Sequence, residues 1–362
     1  MEALDEVALR AALAEFPLED ELVEVRPLKR GHIHDTFVSR WRSSAGERQF
    51  IHQRMNQRVF PDIDLLMGNI RRVSAHLVEK LRREGSEGFE PLELVPARSG
   101  APYARTPSGA WRTFVYIEAS QSFDRCSGVE QAWEAARAFG WFQAMLRDLP
   151  ASELGETLPR FFSTPHRFEQ FRTALANASE ERRRSAQEQI AFALERAPMA
   201  DVIEQRLRSG ALPSRVVHGD TKLNNILFDV ATGKAKGIVD LDTCMAGYSL
   251  YDFGDLVRFT AATSAEDERD QERIGTDLGL YHALADGYLS MARRFLTAEE
   301  IELMPFAARL VTFTIGLRFL ADHLAGDVYF KIERPGHNLD RARVQLGMVR
   351  FMERHAAVMS VA

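Results

Sequence analysis

A chain of 362 residues, 45% hydrophobic and 27% charged, is long enough for two lobes with separate cores and too apolar for wholesale disorder. Its formal net charge of −6 argues against a nucleic-acid binder built on a broad basic face. The two cysteines, Cys126 and Cys244, cannot make a disulfide framework and sit in no metal-ligand spacing, which points to packing residues of a reducing compartment.

MEALDEVALRAALAEFPLED, at the start, is acidic and lacks the basic-then-apolar layout of a signal peptide. No apolar run approaches bilayer-spanning length, so a soluble, cytoplasmic protein with no membrane partner is expected. The first 16 residues predict a helix, with Leu9, Ala12, Leu13 and Phe16 at helical spacing and Pro17 as the stop. Leu22 to Leu28 and Phe37 to Trp41 predict strands joined by the turn KRGHIHDT, and Gln49 to Met55 predicts a third after SSAGE. Between Asp62 and Arg83, Ile63, Leu66, Ile70, Val73, Leu77 and Leu81 form one apolar helical stripe. Leu92 to Pro96 and Trp111 to Glu118 predict two more strands around the loop ARSGAPYARTPSG, giving the order βββαββ. From Val129 the pattern is mainly helical, apart from a strand pair after His218. Asn177 to Arg208 predicts a charged surface helix pair. These elements define an α+β fold in two lobes, with a small antiparallel-sheet lobe over residues 1–118 and a larger, mainly helical lobe over residues 119–362. A ligand is expected in the cleft between them.

The chemistry concentrates in HGDTKLNNILFD, His218 to Asp229. ATGK, Ala231 to Lys234, predicts a turn between ILFDV and AKGIVDLD. If the two runs pair, Asn225 returns roughly opposite Asp240, with Asp220 at the same end. A carboxylate and a carboxamide fixed at a strand end suit magnesium, whose shell is completed by water and phosphate oxygens. Asp220 can accept a proton from an attacking hydroxyl, and Lys222 can point a cation at a transferred phosphoryl group. Phosphoryl transfer needs such a set.

H-x-D-x-K-x-x-N is the catalytic-loop pattern of protein kinases, here with Gly219 where kinases usually carry arginine. With IVDLD and YDFGD after it, the chain resembles the aminoglycoside phosphotransferase and choline kinase superfamily. FIHQRMNQRVF, SLYDFGDLVRF and RFLADHLAGDVYFKIERPGHNLDRARVQ resemble most the bacterial N-acetylhexosamine 1-kinases. The resemblance implies a two-lobed, protein-kinase-like fold, with Asp220 as catalytic base and Asn225 and Asp240 as magnesium ligands. Asp242 is a weaker metal candidate. Asp252 and Asp255 are expected to be structural, capping a helix and bracing the catalytic loop.

In the small lobe, KRGHIHDTF takes the place of the loop over the nucleotide phosphates, with Gly31 as its single glycine, while His32, His34 and Asp35 face the acceptor by resemblance to the sugar kinases. The third strand, FIHQRMN, lacks the phosphate-binding lysine of the superfamily, so Gln53 or Arg54 stands in. Strand alternation lets only one of them face the cleft. Backbone amides around Tyr116, Ile117 and Glu118 would meet the purine. In GLRFLADHLAGDVYFKI, Arg318 offers a planar fork of donors and Tyr329 a hydroxyl and a ring face. The resemblance places both, with Phe259, in the sugar site. Asp322 and Asp327 are expected to pair with local arginines.

The expected activity is that of an ATP- and Mg2+-dependent kinase acting on a hexose or N-acetylhexosamine, at the anomeric hydroxyl by resemblance. The alternatives are a kinase for an amino sugar, aminoglycoside or amino alcohol, and a nucleotide- or sugar-binding module without catalysis. No motif names the sugar, and no heptad seam or edge-strand signal sets the oligomeric state.

Overall fold

The computed structural model describes residues 6–18, 21–28, 33–85 and 88–361. Gly31 and His32 therefore lie outside the described residues. After the helix α1 (Glu6–Leu13) come three strands in succession, β1 (Glu21–Pro27), β2 (Asp35–Ser43) and β3 (Gly46–Arg54). The turn at Gly46, where φ is +124°, folds β3 back on β2 in an unbroken antiparallel register from Asp35 opposite Arg54 to Ser43 opposite Gly46. The predicted long helix is α2 (Ile63–Glu84). Asp62 accepts the Leu65 amide at its start, and its whole predicted stripe from Ile63 to Leu81 is buried. Next come β4 (Leu94–Val95), β5 (Ala104–Thr106), β6 (Gly109–Val115) and β7 (Ser120–Gln121). β5 lies inside the stretch read as a loop, where its three residues pair with β6. β6 ends at Val115, short of the predicted Glu118.

The sheet order is β1-β2-β3-β6-β4, all antiparallel, with β5 also on β6. Its apolar face packs Trp41, Phe50 and Trp111 against Leu9, Leu13 and Phe16 of the leading segment. Within the same sheet, His52 is completely buried between the Ser39 hydroxyl at 2.6 Å and the Thr113 hydroxyl at 2.8 Å.

Chain contacts divide the molecule into two units. The first is Met1–Ser122 with Asp148–Pro159 and Ile226–Met245; the second is Phe123–Arg147, Arg160–Asn225 and Ala246–Ala362. The hairpin beyond His218 belongs to the first unit. Its strands, which we number β9 (Ile226–Asp229) and β10 (Ala235–Ile238) after the short β8 (Arg215–Val217), pair as expected about the ATGK turn, and β7 adds to their far edge.

The second unit is helical: α3 (Val129–Leu146), α4 (Thr164–Asn177), α5 (Glu180–Ser185), α6 (Gln187–Glu195), α7 (Val202–Arg208), α8 (Ser249–Thr260), α9 (Leu278–Ala292), α10 (Ala298–Glu302), α11 (Met304–Ala325) and α12 (His337–Arg354). The charged stretch read as a helix pair is thus three short helices, because Ala186 and the 197–199 turn interrupt it. α3 and α9 approach closely enough that a Cβ on Gly140 or Gly287 would overlap the facing backbone at Tyr288 or Trp133. α11 is long and apolar enough, by length and composition, to cross a bilayer, contrary to the expectation that no run is. Here 72% of that stretch is buried, and Phe313, Leu317 and Leu320 pack against Phe171, Leu346 and Val349.

Burial pushes the His52 imidazole down to about 3, so it is neutral in the folded protein. The unfolded chain takes up this proton near pH 6.5 and the folded chain does not. The stability that His52 contributes is therefore complete above pH 6.5 and is lost as pH falls from there toward 3. Urea unfolding at pH 7.5, 6.0 and 5.0 should show His52→Gln losing less stability than the parent over this interval, by up to about 1.4 kcal/mol per pH unit. Equal losses would place the acid sensitivity elsewhere.

Candidate active site

In the helical unit, β8 delivers the chain into the loop from His218. His218 is completely buried, with its ring edge-on to Phe139 and Phe142 of α3. Gly219 adopts φ +81°, a conformation that a side chain would strain, which explains a glycine ahead of the aspartate. The loop is held by the first turns of α8. Asp252 accepts the backbone amides of His218 and Gly219, each at 2.8 Å, and the Gln143 side chain at 2.6 Å. Asp255 accepts the Thr221 amide at 3.2 Å and pairs with Arg258 at 2.8 Å. Both acids brace the loop; neither caps a helix, since α8 has Tyr248 at its N-cap and no side-chain cap.

On this frame, Lys222 Nζ lies 2.9 Å from both Asp220 oxygens. Burial alone would lower the Lys222 ammonium, but the Asp220 carboxylate outweighs it and holds the group above its ordinary value. Asn225 turns its Nδ2 onto the Asp220 carbonyl at 2.8 Å and carboxylate at 3.2 Å. That orientation directs its carboxamide oxygen away from Asp220. A half-buried carboxylate, its own lysine and a carboxamide thus meet within six consecutive residues.

The first unit holds the residues expected at the nucleotide. Arg54 is engaged by Asp35, with Nε at 2.8 Å. Gln53 donates to Thr36 at 3.2 Å and accepts Arg112 Nε at 2.9 Å. Both stand-ins for the missing lysine are therefore already bonded within the sheet. Arg112, opposite Gln53 in the register, is buried and grips both oxygens of Asp242. His34 adds a bond from Nε2 to Asp242 Oδ2 at 2.5 Å, and its Nδ1 accepts the Asn56 amide at 3.0 Å. Since Nδ1 accepts, the proton sits on Nε2 and both ring nitrogens are used, so His34 does not present a free ring nitrogen to an acceptor. Burial alone would raise the Asp242 carboxyl; Arg112 and His34 instead hold it well below the carboxylate range. Both oxygens of Asp242, weighed as a weaker metal candidate, are thus engaged by Arg112 and His34.

Asp240, two residues earlier, takes a left-handed backbone at φ 66°. The ladder of β9 and β10 closes at Ile226 opposite Ile238, so Asn225 directly precedes that last pair along the chain and Asp240 lies two residues past it. Among the described residues no three His, Cys, Asp or Glu side chains cluster as a metal cage. A carboxamide oxygen with one carboxylate still fits magnesium, which keeps its waters and takes most of its shell from substrate phosphates.

At the connection after β6, the Tyr116 amide bonds Gln49, the Ile117 carbonyl takes Ser120 Oγ at 2.6 Å, and the Glu118 carbonyl takes Lys236 at 2.8 Å. Among the described residues, the amides of Ile117 and Glu118 meet no hydrogen-bond acceptor.

Back in the helical unit, Arg318 on α11 lies over three rings, Phe161 at 5.8 Å, Tyr329 at 5.9 Å and Phe330 at 5.3 Å. Phe161 in turn contacts Tyr251, whose phenol is pushed up by burial and feels the charges of Asp255, Arg318 and Asp220. Arg167 joins the group. Burial, then Arg318 and Arg160, lower its guanidinium; it donates to Gln170 at 2.9 Å, and its Nε is buried without a partner. Among the described residues, neither Arg167 nor Arg318 has a carboxylate partner. Phe259 stands beside Arg258, the partner of Asp255. Asp327 pairs with Arg182 as expected, but Asp322 meets no arginine among the described residues. It accepts the amides of Val328, Tyr329 and Phe330 instead, and so shapes the loop carrying Tyr329. Sequence reasoning missed Arg112, Phe161 and Arg167. The available signal was Arg112 itself, a charge in the middle of the apolar strand AWRTFV.

Residues 24–292 match the family model described as the phosphotransferase enzyme family, and the chain belongs to that family. It is a phosphotransferase with an α+β, protein-kinase-like fold. Among solved structures it is similar to a microcompartment-associated aminopropanol kinase, at 18% identity and a TM-score of 0.59 over 99% of each chain. It is also similar to a choline kinase from Cryptosporidium parvum Iowa II, at 13% identity and a TM-score of 0.58 over 98% of each. A spectinomycin phosphotransferase, solved with ADP and spectinomycin, matches at 10% identity and a TM-score of 0.58 over 99% of this chain and 100% of its own. At these identities the likeness concerns the fold.

Asp252→Ala removes the acceptor from two buried amides, at a cost of about 1–3 kcal/mol for each. Expected are a lower urea midpoint and a turnover that falls further than the acceptor KM rises. An unchanged midpoint would mean that the loop does not depend on α8.

Proposed function

We propose that the protein is an ATP- and Mg2+-dependent sugar kinase that phosphorylates a hexose or N-acetylhexosamine. The observation that carries the sugar assignment is the setting of Arg318. A cationic acceptor such as an aminoglycoside or choline calls for carboxylates or an open aromatic cage. Here the aromatic cluster already surrounds the protein's own guanidinium, and Arg167 adds a second cation with no carboxylate beside it. Such a site repels an ammonium group and offers N–H donors and ring faces to hydroxyl and carbonyl oxygens. The anomeric position follows from the resemblance of FIHQRMNQRVF and the Arg318 to Gln345 stretch to the N-acetylhexosamine 1-kinases.

In this reading Asp220, bonded by Lys222 and Asn225, orients the acceptor hydroxyl and takes its proton as the oxygen attacks the γ-phosphorus and the bond to the departing ADP breaks. Lys222 then faces the charge on the transferred group. Asn225 and Asp240 would hold magnesium, which when bound neutralises phosphate charge. ATP as donor is supported by the family and by the ADP found in the spectinomycin enzyme. The amides of Ile117 and Glu118 are the groups offered to its base. The family match and the complete Asp220, Lys222 and Asn225 set weigh against a binding module without catalysis.

The test is ADP release with ATP and Mg2+ on glucose, N-acetylglucosamine, N-acetylgalactosamine, glucosamine, choline and kanamycin, with phosphorus NMR of any product. An anomeric phosphate from a hexose is expected, with Asp220→Asn slower by roughly 10²–10⁴. Turnover confined to choline or kanamycin would overturn the acceptor assignment, and near-normal Asp220→Asn activity would overturn the role of Asp220.

A further inference from the structure

The buried ion pair between Arg112 and Asp242 is not used by the steps above. Side-chain exposures are 2% for Arg112, 3% for Asp242 and 5% for His34, so none of the three reaches out to a nucleotide. Burying charges is costly unless every polar atom is matched. Here matching is extensive. Arg112 uses Nε on Gln53, Nη1 on Asp242 Oδ1 and Nη2 on Asp242 Oδ2 at 3.0 Å. His34 binds Oδ2, the Asn56 amide fixes His34, and Thr157 Oγ1 donates to the Asp242 backbone carbonyl at 3.0 Å. The short turn Leu241–Thr243 is therefore fastened by side chain and main chain together. Its N-cap is Asp240, in a left-handed conformation that a non-glycine residue keeps only when its surroundings over-determine it.

We propose that Arg112 is a positioning residue for the metal: through Asp242, with His34 as the second tie, it fixes the turn that aims the Asp240 carboxylate. The cation missing from the third strand is then supplied by the neighbouring strand, and it acts on the metal-binding turn instead of on phosphate. This rests on the assignment of Asp240 to magnesium. Groups that orient a metal's ligands without touching the metal change affinity by about 10–100-fold when removed.

The test is Mn2+ binding followed by electron paramagnetic resonance, in the presence of ADP and without any acceptor, with thermal unfolding in parallel. Arg112→Gln should weaken Mn2+ by about tenfold or more, within the range for such groups. Arg112→Lys keeps the charge but loses the two-pronged grip, and should give a smaller loss; it also serves if the glutamine variant does not fold. His34→Ala should weaken Mn2+ as well, with Arg112 still in place. Parental Mn2+ affinity in a folded Arg112 variant overturns the proposal, as does a loss of thermal stability with metal binding intact. Failure of the sugar assignment leaves this result untouched, since no acceptor is present. Absence of Mn2+ binding by the parent protein with ADP would instead remove the metal assignment on which the proposal stands.

Discussion

One carboxylate sets the geometry of the catalytic loop. Asp252 is completely buried, and its oxygens accept two successive backbone amides at the point where the chain turns through Gly219. Two N–H groups facing one carboxylate fix the peptide planes on either side of His218, and the Asp220 amide, bonded to His218 Nδ1 at 3.3 Å, fixes the plane after Gly219 and so the direction in which Asp220 leaves the main chain. Thr221 closes the arrangement, giving its hydroxyl to the Asp252 carbonyl and its amide to Asp255. The freedom that Gly219 brings to the chain is removed by a partner 33 residues away in sequence. A flexible residue thus gives the loop its course without giving it mobility.

Much of this could be read from the order of residues. The α2 stripe, the β2–β3 hairpin and the ATGK turn each have a local cause: helical spacing, alternation, and a turn sequence between apolar runs. The Asp220, Lys222, Asn225 grouping is local as well, spanning six residues, and its internal bonds follow the spacing. What escaped had a different character. β5 is a strand only because β6 lies beside it, and the break before α7 falls at Pro198, whereas the break between α5 and α6 falls at Ala186, where no breaker residue marks it. Arg112 and Asp242 are 130 residues apart, and Arg318 meets Phe161 across a similar separation. Pairings of this kind leave a trace at only one end, as a charge inside an apolar strand.

The same contrast explains why individual expectations shifted. His34 and Asp242 looked like exposed functional groups, a turn histidine and a strand-end acid. Folding makes each the other's partner. Arg54 is likewise occupied by Asp35, and the two candidates for the absent lysine are tied to neighbours on β2 and β6. In the helical unit the outcome is reversed. Arg318, open to being a surface or ion-paired arginine, instead sits among Phe161, Tyr329 and Phe330, and neither it nor Arg167 meets a carboxylate among the described residues.

The loop after α11 is held in an unusual way. Asp322 gathers the amides of Val328, Tyr329 and Phe330, and Asn338 bridges Asp322 to Asp327, while the Val328 and Tyr329 side chains stay 78% and 73% exposed. Because the grip is on the main chain, the course of the loop is independent of which side chains it displays there. Residues at these two positions can be exchanged without rebuilding the scaffold. The same backbone would thus display a different pair of side chains to solvent.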